Sequence, residues 1–232
     1  TPEHLEEAQR DGPIRGVLVA SPANPTGTMM AGNALAELVG YCDAQNIWFI
    51  SDEIYHGLDY AEDQTTALEL SQNAIIINSF SKYYCMTGWR NGWMVLTEQQ
   101  VRPVERIAQN LYISAPEISQ IAATAALTSI QELEAVKAGY VSNRELLLDG
   151  LPKVGLDRLL PVDGAFYVYA DISRYSSNSL DFARKLLHQS GIAATPGVDF
   201  DPLNGHAFLR FSFAGAHEHM KEALVRLADF LD

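Results

Sequence analysis

Positive charge and cysteine are the scarce features of this sequence. Against 29 aspartates and glutamates stand 16 lysines and arginines in 232 residues, a formal net charge of -13. Phosphate backbones and anionic bilayers are held by clustered positive charge, and no Lys/Arg run relieves the deficit, so neither nucleic acid nor an anionic membrane is an expected partner. Cys42 and Cys85 are the only cysteines. Their contexts are unrelated and give no metal-ligand or redox spacing, which points to a reducing compartment, the cytoplasm, and to no metal site. No apolar run is long enough to span a bilayer. The start, Thr1-Pro2-Glu3-His4-Leu5-Glu6-Glu7, has neither the basic nor the apolar part of a signal peptide. It also lacks an initiator Met, which suggests a missing front.

What is present is ample apolar material, 47% of residues, distributed as a folded core requires. Four short apolar runs, Val17-Leu18-Val19-Ala20, Ile47-Trp48-Phe49-Ile50, Ile75-Ile76-Ile77 and Trp93-Met94-Val95-Leu96, read as buried strands. A helix is expected from Leu35 to Asp43 and a shorter one from Thr66 to Ser71, which makes the first three strands parallel. Only a turn-rich loop, Tyr83 to Asn91, separates the third and fourth, so the fourth is expected to be antiparallel. Helical spacing follows at Val101, Val104, Ala108 and Leu111, then at Ile118, Ile121, Ala122 and Ala125, the latter apolar nearly all round and hence expected to be buried. A long helix from about Glu132 to Leu148 precedes strand-like segments at Phe166 to Asp171 and Phe208 to Phe213. A helix near Leu180 to Gln189 and a closing helix with Met220, Leu224, Leu227 and Leu231 complete a small α+β unit.

In a parallel sheet, ligands sit beyond the carboxyl ends of the strands. Here the first strand leads to Asn24-Pro25-Thr26-Gly27, the second to Asp52 and Tyr55, and the third to Ser79, Ser81 and Lys82, with Arg90 one loop later. Taken singly, Asn24 to Gly27 reads as a turn, Asp52 as a helix cap and Lys82 as a solvated loop residue. Together, an amide, a carboxylate, a phenol, hydroxyls, an amine and a guanidinium suit an anionic aromatic aldehyde bound covalently, a description that pyridoxal 5'-phosphate meets. Farther on, alternation in Ala207-Phe208-Leu209-Arg210-Phe211-Ser212-Phe213 puts Leu209, Phe211 and Phe213 on one face and Arg210 on the other.

The segments Ser21-Pro22-Ala23-Asn24-Pro25-Thr26-Gly27, Ser51-Asp52-Glu53-Ile54-Tyr55, Ser79-Phe80-Ser81-Lys82, Thr87-Gly88-Trp89-Arg90 and Phe208-Leu209-Arg210-Phe211-Ser212 resemble the class I/II aminotransferases of fold type I, in that family's order. The resemblance implies an α/β fold: a partial, mostly parallel sheet of the cofactor-binding large domain over residues 1–130, a linking helix over 131–151, and a small α+β C-terminal domain over 152–232. It implies pyridoxal 5'-phosphate as a Schiff base on Lys82, which also shuttles the substrate α-proton. Asp52 is implied to pair with the ring nitrogen, Tyr55 and Asn24 to bond the ring oxygen, and Arg90 and Ser79, assisted by Ser81, to grip the phosphate. Asn24 and Arg210 are implied to bind substrate, Arg210 through its α-carboxylate. The implied activity is transamination between an amino acid and a 2-oxo acid by a cytoplasmic homodimer.

The same resemblance covers only the C-terminal portion of a family member, without the upstream helix start that cups the phosphate and the ring that stacks on the pyridine. The isolated chain is therefore expected to bind the cofactor weakly and not to transaminate, and its first strand to leave a free edge that favours self-association. Rival readings are a lyase, decarboxylase or cyclase on the same fold, the ligand-sensing domain of a transcription regulator, and an inactive binding or assembly module. Other residues read as structural: His217 and His219 as solvated, His56 as a loop histidine, Cys85 as unactivated, and Trp89 and Trp93 as braces around Arg90. Gly164-Ala165-Phe166-Tyr167 resembles a family segment near the substrate, and reads equally well as a tight turn entering a strand.

Overall fold

The computed structural model describes residues 1–61 and 63–232. The chain divides into two compact units, one of Thr1–Pro22 with Met29–Leu133, the other of Ala23–Thr28 with Glu134–Asp232. The short segment Ala23–Thr28 belongs with the second unit because the Gly27 carbonyl accepts from the backbone amides of Asp163 and Gly164, each at 2.9 Å.

In the first unit, helix α1 (Pro2–Ala8) precedes strand β1 (Gly16–Ala20), helix α2 (Gly32–Gln45) and strands β2 (Trp48–Asp52), β3 (Ile75–Ser79) and β4 (Gly92–Val95). The strands form one sheet in the order β1-β2-β3-β4, parallel for the first three and antiparallel for the last. The expected strand directions hold for the expected reason: the link from β3 to β4 contains no crossover helix, and Phe80 N–H donates directly back to the Asn91 carbonyl at 3.1 Å. Gly92 stands opposite Ser79, where a Cβ would lie 2.8 Å from the Asn78 carbonyl oxygen. A glycine is what lets β4 come this close to the end of β3.

Leu35, Leu38, Val39 and Cys42 recur at helical spacing and bury one face of α2 against Val17, Val19, Phe49 and Ile76. Burial is one-sided. On the opposite face of the sheet Leu18 is 61% exposed, Trp48 52% and Met94 46%, so the reading of the first, second and fourth runs as buried strands is corrected. The expected short helix after β2 is a single 3-10 turn, Ala67–Glu69.

Helices α3 (Glu98–Leu111) and α4 (Glu117–Ala126) follow. Among the described residues of α3 none is buried, and α4 buries only Ser119 and Ala123. The expectation of a buried second helix is therefore corrected: Ala123 packs against Phe80 and Met86, while Ile118 and Ile121 are more than half exposed. The apolar surface of α4 exceeds what this chain covers. The long helix α5 (Ile130–Lys153) extends the predicted one at both ends.

In the second unit, strands β5 (Tyr167–Asp171), β6 (Thr195–Pro196) and β7 (Phe208–Ser212) form an antiparallel sheet in the order β5-β7-β6. Helices α6 (Ser179–Ser190) and α7 (His217–Leu231) pack against each other, and α6 also against β6 and β7. Leu209, Phe211 and Phe213 are buried, as the alternation in that strand requires. Asn143 of α5, also buried, donates from Nδ2 to the carbonyls of Phe213 and Gly215, at 3.0 and 2.8 Å. Its Oδ1 accepts from His217 Nδ1 at 2.8 Å. His217 is thus half-buried and bonded at the start of α7, which corrects its reading as a solvated residue.

Candidate active site

The predicted residues fall into two groups, one in each unit. In the first unit, parallel pairing puts Asp52 at the carboxyl end of β2, opposite Ile77 of β3. Ser79 closes β3 and Lys82 follows in the turn. Within this group the ammonium of Lys82 lies 5.5 Å from the centroid of the Tyr55 ring, a distance at which a cation is attracted to the ring face. Tyr55 is buried, at 3% exposure. Asp52 Oδ1 accepts from the Ile54 amide at 3.2 Å, starting the turn that carries Tyr55.

Ser79 Oγ accepts from the Ser81 amide at 3.1 Å, and the Ser81 carbonyl accepts from Thr87 Oγ1 at 2.7 Å. The Thr87 carbonyl in turn accepts from Arg90 Nη1 at 3.0 Å. This relay ties Arg90, whose backbone is left-handed at φ 52°, to the Ser79–Lys82 turn. Phe80 packs edge-on against Trp93 at 5.0 Å, which bears out the bracing expected of Trp93. Trp89 is 41% exposed.

The second unit holds Asn24 and Arg210. Arg210 Nη1 donates to Asn24 Oδ1 at 2.6 Å and Nη2 to Thr195 Oγ1 at 3.1 Å. Its guanidinium lies 4.2 Å from the Tyr167 ring and 4.7 Å from that of Phe200. Two aromatic faces and two acceptors fix the guanidinium, while its buried Nε has no hydrogen-bond partner. Tyr167 belongs to the Gly164–Tyr167 segment, so that segment contributes a wall to the Arg210 group.

The sequence reading missed Thr87, Thr195, Phe200 and the Glu53–His56 pair. Thr87 opens the Thr87-Gly88-Trp89-Arg90 segment, three residues before Arg90, and that spacing is the available signal. Thr195 faces Arg210 only through the β6–β7 register, which no local pattern reveals. Glu53 is buried, at 3% exposure, and accepts at Oε1 from Ser51 Oγ, Thr66 Oγ1 and the Ala67 amide, at 3.0, 3.0 and 2.9 Å. Its Oε2 faces His56 Nδ1 at 3.3 Å. Burial holds His56 below its ordinary value of 6.5, against the opposing pull of Glu53, the Ser21 carbonyl, Asp59 and Asp52. Among the described residues no cluster of three or more His, Cys, Asp or Glu could hold a metal ion, and no helix is long and apolar enough to cross a membrane.

A mostly parallel sheet with an amine, a phenol, a carboxylate and hydroxyls at its carboxyl ends defines an α/β protein, and the strand ends are where such folds bind ligands. Residues 1–227 match the family model for aminotransferase class I and II, and the chain belongs to that family. It is 50% identical to the valine–pyruvate aminotransferase of Mycobacterium tuberculosis over 97% of its own length and 59% of that protein's. It is 35% identical to the (5-formylfuran-3-yl)methyl phosphate transaminase of Methanocaldococcus jannaschii, over 100% of this chain and 61% of the other. The crystal structure of an aminotransferase from Mycobacterium tuberculosis superposes with a TM-score of 0.95 at 49% identity, covering 100% of this chain and 60% of that one. The chain thus has the fold of the type I aminotransferases and spans about three fifths of the length of these relatives.

Proposed function

We propose that the full-length protein transfers an amino group between an amino acid and a 2-oxo acid, using pyridoxal 5'-phosphate held at Lys82. The observation that carries this is the Lys82 ammonium over the Tyr55 ring, at the strand ends that also bear Asp52 and Ser79. The donor set fits the cofactor: Lys82 would hold it covalently through Nζ, Asp52 its ring nitrogen, Tyr55 its ring oxygen, and Arg90, Ser79 and Ser81 its phosphate. When bound, the group supplies an electron sink for the pair left when the substrate Cα–H bond breaks.

The chain's own residues do the rest. With the cofactor bound, Asp52 would pair with the ring nitrogen and favour a proton there. Tyr55 would donate its phenolic hydrogen to the ring oxygen. Lys82 Nζ would take the proton that leaves the substrate Cα, a general-base task open to an amine. Arg210, held flat by Tyr167 and Phe200 and by its bonds to Asn24 and Thr195, binds the substrate carboxylate as a planar fork. The 50% identity to a valine–pyruvate aminotransferase supports an aliphatic amino acid and a short 2-oxo acid as the pair to try first.

The test is the half-reaction of the loaded full-length protein with an amino acid and no oxo acid. Stoichiometric pyridoxamine phosphate and 2-oxo acid are expected. Carbon dioxide, or elimination products without pyridoxamine phosphate, would replace this reading with a lyase or decarboxylase.

A further inference from the structure

Glu53 stands between two residues of the proposed site, one after Asp52 and two before Tyr55, yet its own side chain points into the protein. Its carboxylate is almost wholly buried and is satisfied from four directions: Ser51 on the strand, Thr66 and Ala67 at the start of the 3-10 turn, and His56 on the turn that follows β2. Its backbone is anchored as well, the amide donating to the Ile77 carbonyl of β3 at 2.8 Å and the carbonyl accepting from the His56 amide at 2.9 Å. Tyr55 thus hangs on a loop whose two flanking residues, Ile54 and His56, are tied respectively to Asp52 and Glu53.

A buried carboxylate is retained at a cost unless it is well bonded. This one accepts the backbone amide of Ala67, 14 residues away, so it closes the excursion from the end of β2 out to the 3-10 turn. Gly57, at φ +93°, completes the bend and lies so close to the Tyr83 ring that a Cβ would come within 2.5 Å of it. Tyr83 is the neighbour of Lys82. The Glu53 tether therefore bears on both members of the Lys82–Tyr55 pair.

We propose that Glu53, with His56, is a positioning residue that fixes the 53–58 turn and so holds the Tyr55 hydroxyl where it must donate. The inference rests on the cofactor reading given above. A phenol donating to the ring oxygen favours loss of the proton from the neighbouring nitrogen, so a displaced Tyr55 raises the pH at which the cofactor's visible band changes form.

Full-length holoprotein is titrated by visible absorption as wild type, Glu53→Ala, Glu53→Gln and Tyr55→Phe. Amide hydrogen exchange of residues 54–58 is followed in the cofactor-free forms. Glu53→Ala is expected to raise the band's midpoint by about one pH unit, in the direction of Tyr55→Phe, and to speed exchange over 54–58. Glu53→Gln keeps the three Oε1 acceptor contacts and loses the charge, so its midpoint moves the same way by less. A folded Glu53→Ala protein with the wild-type midpoint, or with unchanged exchange over 54–58, overturns the proposal. Should Glu53→Ala not fold, Glu53→Gln decides, and a wild-type midpoint there overturns it equally. Absence of a Lys82-dependent band in the wild type would instead overturn the cofactor reading, leaving the exchange measurement to judge the tether.

Discussion

Arg210 and Asn24 are 186 residues apart, and Nη1 of the first donates to Oδ1 of the second at 2.6 Å. The bond fixes one edge of a guanidinium already held between the rings of Tyr167 and Phe200. Lysine reproduces the charge of such a group but neither its planar fork nor its stacking. Arg210→Lys is expected to lower kcat/KM for amino acids by about 100-fold, the loss of roughly 3 kcal/mol of charge-assisted bonding. The cofactor's visible band should be unchanged. Steady-state kinetics alongside the spectrum checks both, and a change in kcat/KM smaller than about threefold would remove Arg210 from substrate binding.

Asn143 is a structural counterpart without a proposed role in chemistry. Replacing it by Ala leaves the Phe213 and Gly215 carbonyls and His217 Nδ1 without the partner they share. A loss of about 2–4 kcal/mol in unfolding free energy is expected, measured by urea denaturation. A loss below about 0.5 kcal/mol would mean that water takes over all three bonds.

Gly57→Ala adds a methyl where φ is +93° and the Tyr83 ring is 2.5 Å away. The atoms met are Cδ2 and Cγ, at the base of the Tyr83 ring, and that ring also packs edge-on against Tyr84 at 5.2 Å. Destabilisation of about 1–3 kcal/mol is expected, together with a weakened visible band, because Tyr83 adjoins Lys82. An unchanged urea midpoint would show that the ring moves aside freely.

His56 makes stability depend on pH with a definite sign. Its folded pKa lies below the ordinary 6.5, because burial opposes the charged form more than Glu53, the Ser21 carbonyl, Asp59 and Asp52 favour it. As pH falls the unfolded chain therefore takes up the proton first. The His56 contribution is complete above pH 6.5 and is lost progressively as pH drops from 6.5 towards the depressed folded value, below which it levels off. Unfolding free energies measured across that range should slope for the wild type and flatten for His56→Gln. Equal slopes would assign the dependence elsewhere.

Much of this was legible in the sequence because the signals were local. Alternation located Arg210 opposite Leu209, Phe211 and Phe213, and the short link between Ser79 and Gly92 required an antiparallel fourth strand. The strand ends displayed Asp52, Ser79 and Lys82 in order. What was illegible depended on partners distant in sequence. Nothing near Asn24 shows that its loop clusters with residues beyond Glu134, and nothing near Glu53 announces Thr66 and Ala67 as its donors. The burial of α4 was misjudged because periodicity reports which residues are apolar, not whether anything covers them: Ala123 found Phe80 and Met86, whereas Ile118 and Ile121 found no such cover. His217 was misread because its partner Asn143 lies 74 residues earlier.

The central claim is that Lys82 is the covalent anchor of the cofactor. Incubating the full-length protein with pyridoxal 5'-phosphate, reducing with borohydride and mapping the modified peptide by mass spectrometry tests it directly. The account predicts a phosphopyridoxyl group on Lys82, abolished in Lys82→Ala. A label on other lysines with Lys82 unmodified would contradict it.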